Sequence, residues 1–142
     1  MLKKALSLLV LAATLQGCAS QLVEGQKQEL ATYEAKGLKV TERNEAVAAV
    51  LGIFPMAGYI YNGNYVSAVT KLPLYLLGGP LWMPVDTYHS AQSRNYYATR
   101  TNVLVLKDRK LHEVDEKYEN KTLTEIQYIR AQREIERQYA PY

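Results

Sequence analysis

Two long apolar runs separated by a short turn constrain the fold of this chain more than any other feature of its sequence. The first run extends from Ala46 to Ile60 and the second from Val66 to Val85. Both runs are apolar on all sides rather than along one stripe, a pattern typical of helices buried in lipid or packed against each other. The sequence therefore predicts a hydrophobic helical hairpin, with Asn44 as the N-cap of its first helix.

The turn and the prolines set the expected shape of this hairpin. Asn62 and Gly63 lie between the runs and are predicted to supply the positive φ values of a tight reversal. As helices the runs would be about 24 and 30 Å long, close to the thickness of a bilayer core. Prolines interrupt both runs, so we expect kinked or broken helices that span, re-enter or lie on a membrane. Lys71 is expected to extend toward the lipid headgroups.

Aromatic side chains with a polar tip flank the two apolar runs. They lie at the turn and at the far end of the second run: Tyr59, Tyr61, Tyr65, Trp82 and Tyr88. Such rings favour the boundary between lipid and water, and we predict that these five residues lie at a membrane interface. A water-soluble core with tyrosines along its rim is the alternative interpretation.

The first 17 residues have the pattern of an export signal. Lys3 and Lys4 precede an apolar stretch of about ten residues, which is too short to cross a bilayer. Its ending, Leu15-Gln16-Gly17-Cys18, resembles the bacterial lipobox. This resemblance implies cleavage between Gly17 and Cys18 and attachment of diacylglycerol to the sulfur of Cys18, the nucleophile of the acylation.

The expected mature chain differs from the precursor in charge and is tied to a membrane. Removal of Lys3 and Lys4 with the signal lowers the formal charge from +3 to +1, which does not favour nucleic-acid binding. Cys18 is the only cysteine, so no disulfide framework is expected. Ala19 is not the aspartate that retains lipoproteins in the inner membrane, which implies the inner leaflet of the outer membrane, facing the periplasm. The inner membrane is the alternative, because chains this apolar are often retained there.

Residues 48–63 are similar to the first half of the TM2-type hairpin domain and its bacterial relatives. In that domain a small apolar helix runs into Pro-Gly-x-Gly-x-x-Tyr-x-Gly, and here Pro55 is followed by Gly58, Tyr59 and Gly63. The second run ends in a Trp82-Met83-Pro84-Val85-Asp86 sequence that resembles the family's tryptophan-then-aspartate ending. The likeness covers roughly 40 residues and implies membrane association without enzymatic activity. Met56 stands where a glycine is common.

The residues on both sides of the hairpin are polar. Residues 18–43 are predicted to be a lipidated tether with some helix from Gly25 to Ala35, and residues 44–100 contain the hairpin and an exit helix. In the charged tail, residues 101–142, a short extended segment at 101–106 precedes an αα-hairpin. A capping box of Thr122 and Glu125 is expected to start its second helix. The fold class predicted is therefore mainly α.

The tail weakly resembles the short C-terminal helical modules called SHOCT, through the stretch Leu123-Thr124-Glu125-Ile126-Gln127-Tyr128. That resemblance implies a protein partner or self-association through residues 107–142. A helical pair packed on its own small core is the alternative.

A search for catalytic and metal-binding patterns predicts none. His89 and His112 stand apart from the paired ligands of a zinc site, although Asp86 and His89 would share a helix face. We expect no catalytic residue, metal or cofactor. The sequence therefore predicts a non-catalytic envelope lipoprotein with a structural or protein-interaction role. The alternative is a module that binds a lipid or another apolar ligand at the periplasmic membrane surface.

Overall fold

A computed structural model describes residues 21–142 of the chain. Over these residues the protein is mainly helical and contains no strand, which confirms the predicted mainly α class. Its elements, in chain order, are α1 (Glu24–Ala35), α2 (Glu45–Leu51), α3 (Ala57–Tyr61), α4 (Tyr65–Lys71), a 3-10 helix (Leu72–Leu77), α5 (Gly79–Glu119) and α6 (Glu125–Tyr139).

The chain folds into two compact units. The first unit includes Thr41–Asn95, and the second unit joins Gly25–Val40 to Tyr96–Tyr142. Helix α5 therefore supplies its N-terminal part to the first unit and its C-terminal part to the second. The second unit is discontinuous in sequence, because the whole of Thr41–Asn95 lies between its two segments.

Neither apolar run forms one helix. Asn44 caps α2 by accepting a hydrogen bond from the Val47 backbone N–H at 3.0 Å, as the sequence predicts. The first run then breaks around Pro55 and resumes as α3. The N-cap of α3, Met56, has a φ of 65°, a left-handed conformation that favours glycine. The second run is divided into α4, the 3-10 helix and the first turns of α5.

Prolines account for some of these boundaries and not for others. Pro73 is the second residue of the 3-10 helix, where a missing N–H costs little. Pro84 lies inside α5, and the helix continues through it for many turns, so this proline does not end a helix. Within residues 21–142, none of the helices combines the length and the apolar character needed to cross a bilayer.

Helix α5 buries one residue in every four along a single stripe. Side chains four residues apart are neighbours on a helix surface, so this stripe winds slowly round α5, and none of its six side chains is more than 2% exposed. They are Met83, Thr87, Ala91, Asn95, Thr99 and Val103. Three of the six are polar, so the stripe combines tight packing with hydrogen bonds to neighbouring backbone.

The predicted extended segment at 101–106 is wrong, because these residues are part of α5. Val103 lies in the core of the second unit with Tyr33, Ile135 and Tyr139. A preference of β-branched residues for strands is weak, and burial of Val103 in a helical core overrides it. Tyr33, a residue of the predicted tether, joins this core, and α1 also buries Leu30.

The end of α5 and the start of α6 pack against each other in the second unit. The rings of Tyr118 and Tyr128 stack with centroids 4.5 Å apart, and the Tyr128 hydroxyl donates to Asp115 at 2.8 Å. Helix α6 begins with a capping box, but its members are Thr124 and Gln127 rather than the predicted Thr122 and Glu125. The predicted pair starts two residues too early, because Thr122 instead donates to the Lys117 carbonyl at the end of α5.

Two glycines of the first unit allow its short helices to approach the backbone of α5. A Cβ on Gly52 would lie 2.7 Å from the Cα of Pro84 and 2.9 Å from the carbonyl oxygen of Met83. A Cβ on Gly58 would lie 2.7 Å from the Thr87 Cγ2. Real Cβ atoms do not approach this closely, so α5 would have to move.

We therefore expect Gly52→Ala to destabilise the protein by about 1 to 3 kcal/mol, the usual cost of overpacking. Urea denaturation followed by circular dichroism measures this loss. Gly25→Ala is the matched control, because a Cβ there meets nothing within 4 Å. The control should keep or slightly raise the stability, since alanine favours a helix. Equal effects of the two substitutions would contradict the close approach at Gly52.

The position of the α6 cap gives a second test. Thr124→Ala removes the acceptor for the Gln127 N–H and should cost about 0.5 to 2 kcal/mol, concentrated in the first turn of α6. Amide hydrogen exchange should therefore become faster at Gln127 and Tyr128 in Thr124→Ala. Thr122→Ala should leave these amides protected. Faster exchange in Thr122→Ala alone would instead support the capping box expected from the sequence.

Candidate functional site

The predicted lipidation residue Cys18 and its neighbour Gly17 lie outside the described residues. The candidate site that the structure does describe is the first unit, which contains both apolar runs and all five predicted interface aromatics. Its surface and its few charged groups decide what it can contact.

The five predicted interface aromatics occupy different environments. Tyr65 is exposed, whereas Tyr59 is almost fully buried. Tyr61 is half-buried; its hydroxyl accepts from the Asn44 backbone N–H at 3.0 Å, and the Arg43 guanidinium lies over its ring.

The other two predicted interface aromatics are also half-buried. Trp82 packs against the buried cluster of Tyr59, Ala68 and Met83, and the Tyr88 ring meets His89 edge-on. Of the five, Tyr65 alone is exposed to the surroundings.

A buried ion pair links Lys71 of the second apolar run to Asp86, which directly follows that run. The ammonium of Lys71 donates to Asp86 Oδ2 at 2.5 Å, and only 7% of Lys71 is exposed. The Tyr59 hydroxyl donates to the same carboxylate oxygen at 2.5 Å. The Lys71 ammonium also lies over the Tyr59 ring, 5.1 Å from its centroid. The expectation that Lys71 reaches toward headgroups is therefore wrong, since its charge is satisfied inside the unit.

The sequence contains a signal for the Lys71–Asp86 pair that the apolar periodicity does not reveal. Between Glu45 and Arg94 these two residues are the only side chains with a formal charge, and their charges are opposite. A charge buried among apolar groups is costly unless it is paired, so a lone cation and a lone anion in such a region are expected to meet. Asp86 and His89, which were predicted to share a helix face, do not form a second pair of this kind, because His89 Nδ1 is buried without a hydrogen-bond partner.

A turn joins α3 to α4, and of its two predicted residues only Gly63 has the expected positive φ. Gly63 has a φ of 72°, but Asn62 has a φ of −75° and does not supply a positive value. Asn62 is instead buried, and its side-chain amide donates to the Thr87 carbonyl at 2.8 Å. Arg94 holds the turn from the other side by donating to the Asn62 carbonyl at 2.9 Å and to Glu42 at 2.8 Å.

Asn95 fixes the chain where it enters the first unit. Its side chain accepts from the Arg43 backbone N–H at 3.0 Å and donates to the Arg43 carbonyl at 2.9 Å. It also donates to Glu45 at 3.1 Å. The side-chain amide of Asn95 is fully buried and bonds to both backbone groups of Arg43, as a neighbouring strand would. It therefore holds this segment against α5.

Large apolar side chains cover much of the outside of the first unit. In α4, Ala68 and Lys71 point inward while Tyr65, Val66 and Val69 are exposed. The 3-10 helix has no buried residue. The exposed large apolar residues between positions 46 and 85, which we call the apolar surface, are Val47, Val50, Ile53, Phe54, Ile60, Tyr65, Val66, Val69, Leu72, Leu76, Leu77, Leu81 and Val85.

In the second unit one carboxylate serves two buried tyrosines. Glu29 Oε1 accepts from Tyr33 at 3.1 Å and Glu29 Oε2 accepts from Tyr96 at 2.8 Å. Burial and these hydrogen bonds raise the pKa of each phenol to about 12. Lys36 binds the end of α6, donating to the carbonyls of Arg137 at 3.2 Å and Ala140 at 2.7 Å.

Among residues 21–142 no group of three or more histidine, cysteine, aspartate or glutamate side chains is arranged to hold a metal ion. No protein-family model, curated protein or solved structure matches the chain. The likenesses to the TM2-type domain and to SHOCT therefore stay predictions from the sequence.

The buried Tyr59 phenol predicts a loss of stability at alkaline pH. Burial raises its pKa far above the ordinary value of 10.0, and the hydrogen bond to Asp86 and the charge of that carboxylate raise it further. Above pH 10 the unfolded chain releases this proton while the folded protein keeps it. The free energy of unfolding should therefore fall by up to about 1.4 kcal/mol per pH unit from this group.

Urea denaturation at pH 9 to 11.5 measures this slope in the wild type and in Tyr59→Phe. The variant keeps the ring but lacks the ionisable proton. Its free energy of unfolding should therefore fall less steeply with pH, by the contribution of one proton. The ultraviolet absorbance of phenolate, followed against pH, should show one fewer late-ionising tyrosine in the variant. Parallel slopes in the two proteins would contradict the raised pKa.

Proposed function

We propose that this chain is an exported bacterial lipoprotein, cleaved before Cys18 and held by lipid at the cell envelope, where it has a structural or protein-interaction role. The observation that carries the proposal is the combination of the Leu15-Gln16-Gly17-Cys18 ending with a following unit that exposes many large apolar side chains. Contiguous apolar surfaces on monomeric soluble proteins are small, and larger ones mark contacts with membranes or partners.

The buried polar groups support a role without a chemical reaction. Thr87, Asn95 and Thr99 use their side chains to bind the chain's own backbone, and Lys71 is paired with Asp86. These groups are therefore committed to holding the fold.

The second unit is the part that we assign to contacts with other proteins. Residues 107–142 form the end of α5 and the whole of α6, whose outward face carries many charged side chains. Ile126 is exposed on the same helix. A packed helical pair with a charged outer face is suited to a periplasmic protein partner or to self-association.

For the location we propose the inner leaflet of the outer membrane, with the inner membrane as the alternative. The basis is Ala19, which stands where an aspartate would direct retention in the inner membrane. Two or more acyl chains on the N-terminal residue would make the attachment lasting, because one chain anchors only marginally.

Metabolic labelling with palmitate tests the lipid anchor. The wild type should incorporate label and sediment with the outer membrane. Cys18→Ala should incorporate none, because it lacks the acylated sulfur, and should keep its signal segment. Ala19→Asp is the matched control, since it should keep the label and move to the inner membrane.

Two results would contradict the proposal. One is a wild-type chain without label, and the other is a Cys18→Ala chain that is labelled as strongly as the wild type. Failure of Ala19→Asp to move would remove the outer-membrane assignment and leave the lipid anchor intact.

A further inference from the structure

We propose that the apolar surface of the first unit embeds in one leaflet of the membrane beside the lipid anchor, without crossing it, and that Asp86 makes this possible by holding Lys71 inside. This inference rests on the proposed function and adds the lipid acyl region as the partner of a defined surface. Of the spanning, re-entrant and surface-lying arrangements that the sequence leaves open, it selects one that does not cross the bilayer.

Charge is the first argument for lipid as the occupant. Between positions 46 and 85 the chain has one charged side chain, Lys71, and that residue is 7% exposed and paired with Asp86. This stretch therefore presents no exposed charged side chain. Interfaces between proteins usually have a polar rim that surrounds the apolar centre, whereas the acyl region of a bilayer requires the absence of charge.

The length and the sidedness of the helices explain why the contact is with one leaflet. Helix α4 has seven residues and is therefore about 10 Å long, a third of a bilayer core. Its inner face is used by Ala68 and Lys71, and its outer face presents Val66 and Val69. A short helix with one protein-facing side and one apolar outer side matches a protein that lies at the boundary between headgroups and acyl chains.

The position of the anchor supplies the second argument. Leu22 belongs to the first unit and is 4% exposed. Cys18 is four residues earlier in the chain, so even a fully extended backbone separates them by about 14 Å. A lipid on Cys18 therefore keeps the first unit within reach of the bilayer surface and makes insertion effectively intramolecular.

Asp86 has a positioning role in this arrangement. Without its carboxylate the Lys71 ammonium loses its partner and must seek water or headgroups, which brings a charge to the apolar surface. Replacement of both residues by uncharged side chains of similar size removes the charge altogether. Comparison of the variant that lacks only the Asp86 carboxylate with the variant that lacks both charges therefore separates the effect of an exposed charge from the effect of losing an ion pair.

Fluorescence of Trp82 provides a direct readout, because it is the only tryptophan in the chain and follows Leu81. The lipidated full chain, purified from membranes, is reconstituted into vesicles of phosphatidylcholine and phosphatidylglycerol. One set of vesicles has lipids brominated near the headgroup end of the acyl chain, and another has lipids brominated near its terminal methyl. Flotation of the vesicles measures attachment separately.

In the wild type we expect Trp82 to lose about half of its fluorescence to the shallow bromines and clearly less to the deep ones, as for a residue just below the headgroups. Leu76→Glu combined with Leu81→Glu should abolish most of the quenching while the protein still floats. These side chains are 88% and 86% exposed, so the change does not disturb the core. Ile126→Glu, on the exposed face of α6, is the matched control and should be quenched like the wild type.

The ion pair is tested in the same vesicles. Asp86→Asn should reduce the quenching of Trp82, and Lys71→Met combined with Asp86→Asn should restore it. Circular dichroism shows whether Asp86→Asn is folded, and the double variant keeps the test valid if it is not. Failure of the double variant to restore quenching would overturn the role of Asp86.

Other outcomes overturn the insertion itself. A wild type that floats without quenching would leave the lipid anchor intact and remove the embedded surface. If that protein also forms a dimer that Leu81→Glu converts to a monomer, a second copy of the chain is the occupant. A wild type that is quenched but carries no lipid would instead contradict the proposed function and retain the embedded surface.

Discussion

The close approach of residues 48–58 to helix α5 at Thr87 is the constraint on which the first unit depends. The Thr87 hydroxyl bonds to the carbonyls of both Ala48 and Met83 at 2.9 Å, and Gly52 and Gly58 leave no Cβ in the way. Where these short helices meet α5, the small residues Ala48, Gly52 and Gly58 face inward. Most of the bulky apolar side chains of the short helices lie on the outside of the unit.

Local chemistry determined the parts of this fold that could be predicted from the sequence. The cap at Asn44, the break near Pro55 and the left-handed turn at Gly63 each depend on the conformational preference of one residue. The sequence predicts an exit helix before residue 101 and an αα-hairpin after residue 106, but not that one helix, α5, continues through residues 101–106. Half of the buried stripe of α5 is polar. Thr99 and Asn95 face inward for their hydrogen bonds, and a search for apolar periodicity treats such positions as exposed.

The candidate site was predictable in composition and not in geometry. The apolar runs and the tyrosines are visible in the sequence, but their exposure follows from how the short helices pack. Tyr59 was expected at an interface, yet it lies in the core because its hydroxyl reaches Asp86. The partner of Lys71 is 15 positions away along the chain, a separation that no helical or strand period specifies. The isolation of these two opposite charges in the sequence suggests that they pair, and the tertiary contact gives the geometry of the pair.

The bonds between Thr99 and Val40 have a consequence for how this chain can vary in evolution. Thr99 Oγ1 accepts from the Val40 N–H at 2.9 Å and donates to the Val40 carbonyl at 3.3 Å. These bonds hold Val40, where the chain leaves the second unit, close to Thr99, where the chain has just returned to it. The intervening Thr41–Asn95 is then an insertion between fixed ends. Each doubling of such a loop costs only about 0.6 kcal/mol in closure entropy. Closure entropy therefore sets little limit on the length of the segment that the second unit can carry between these two points.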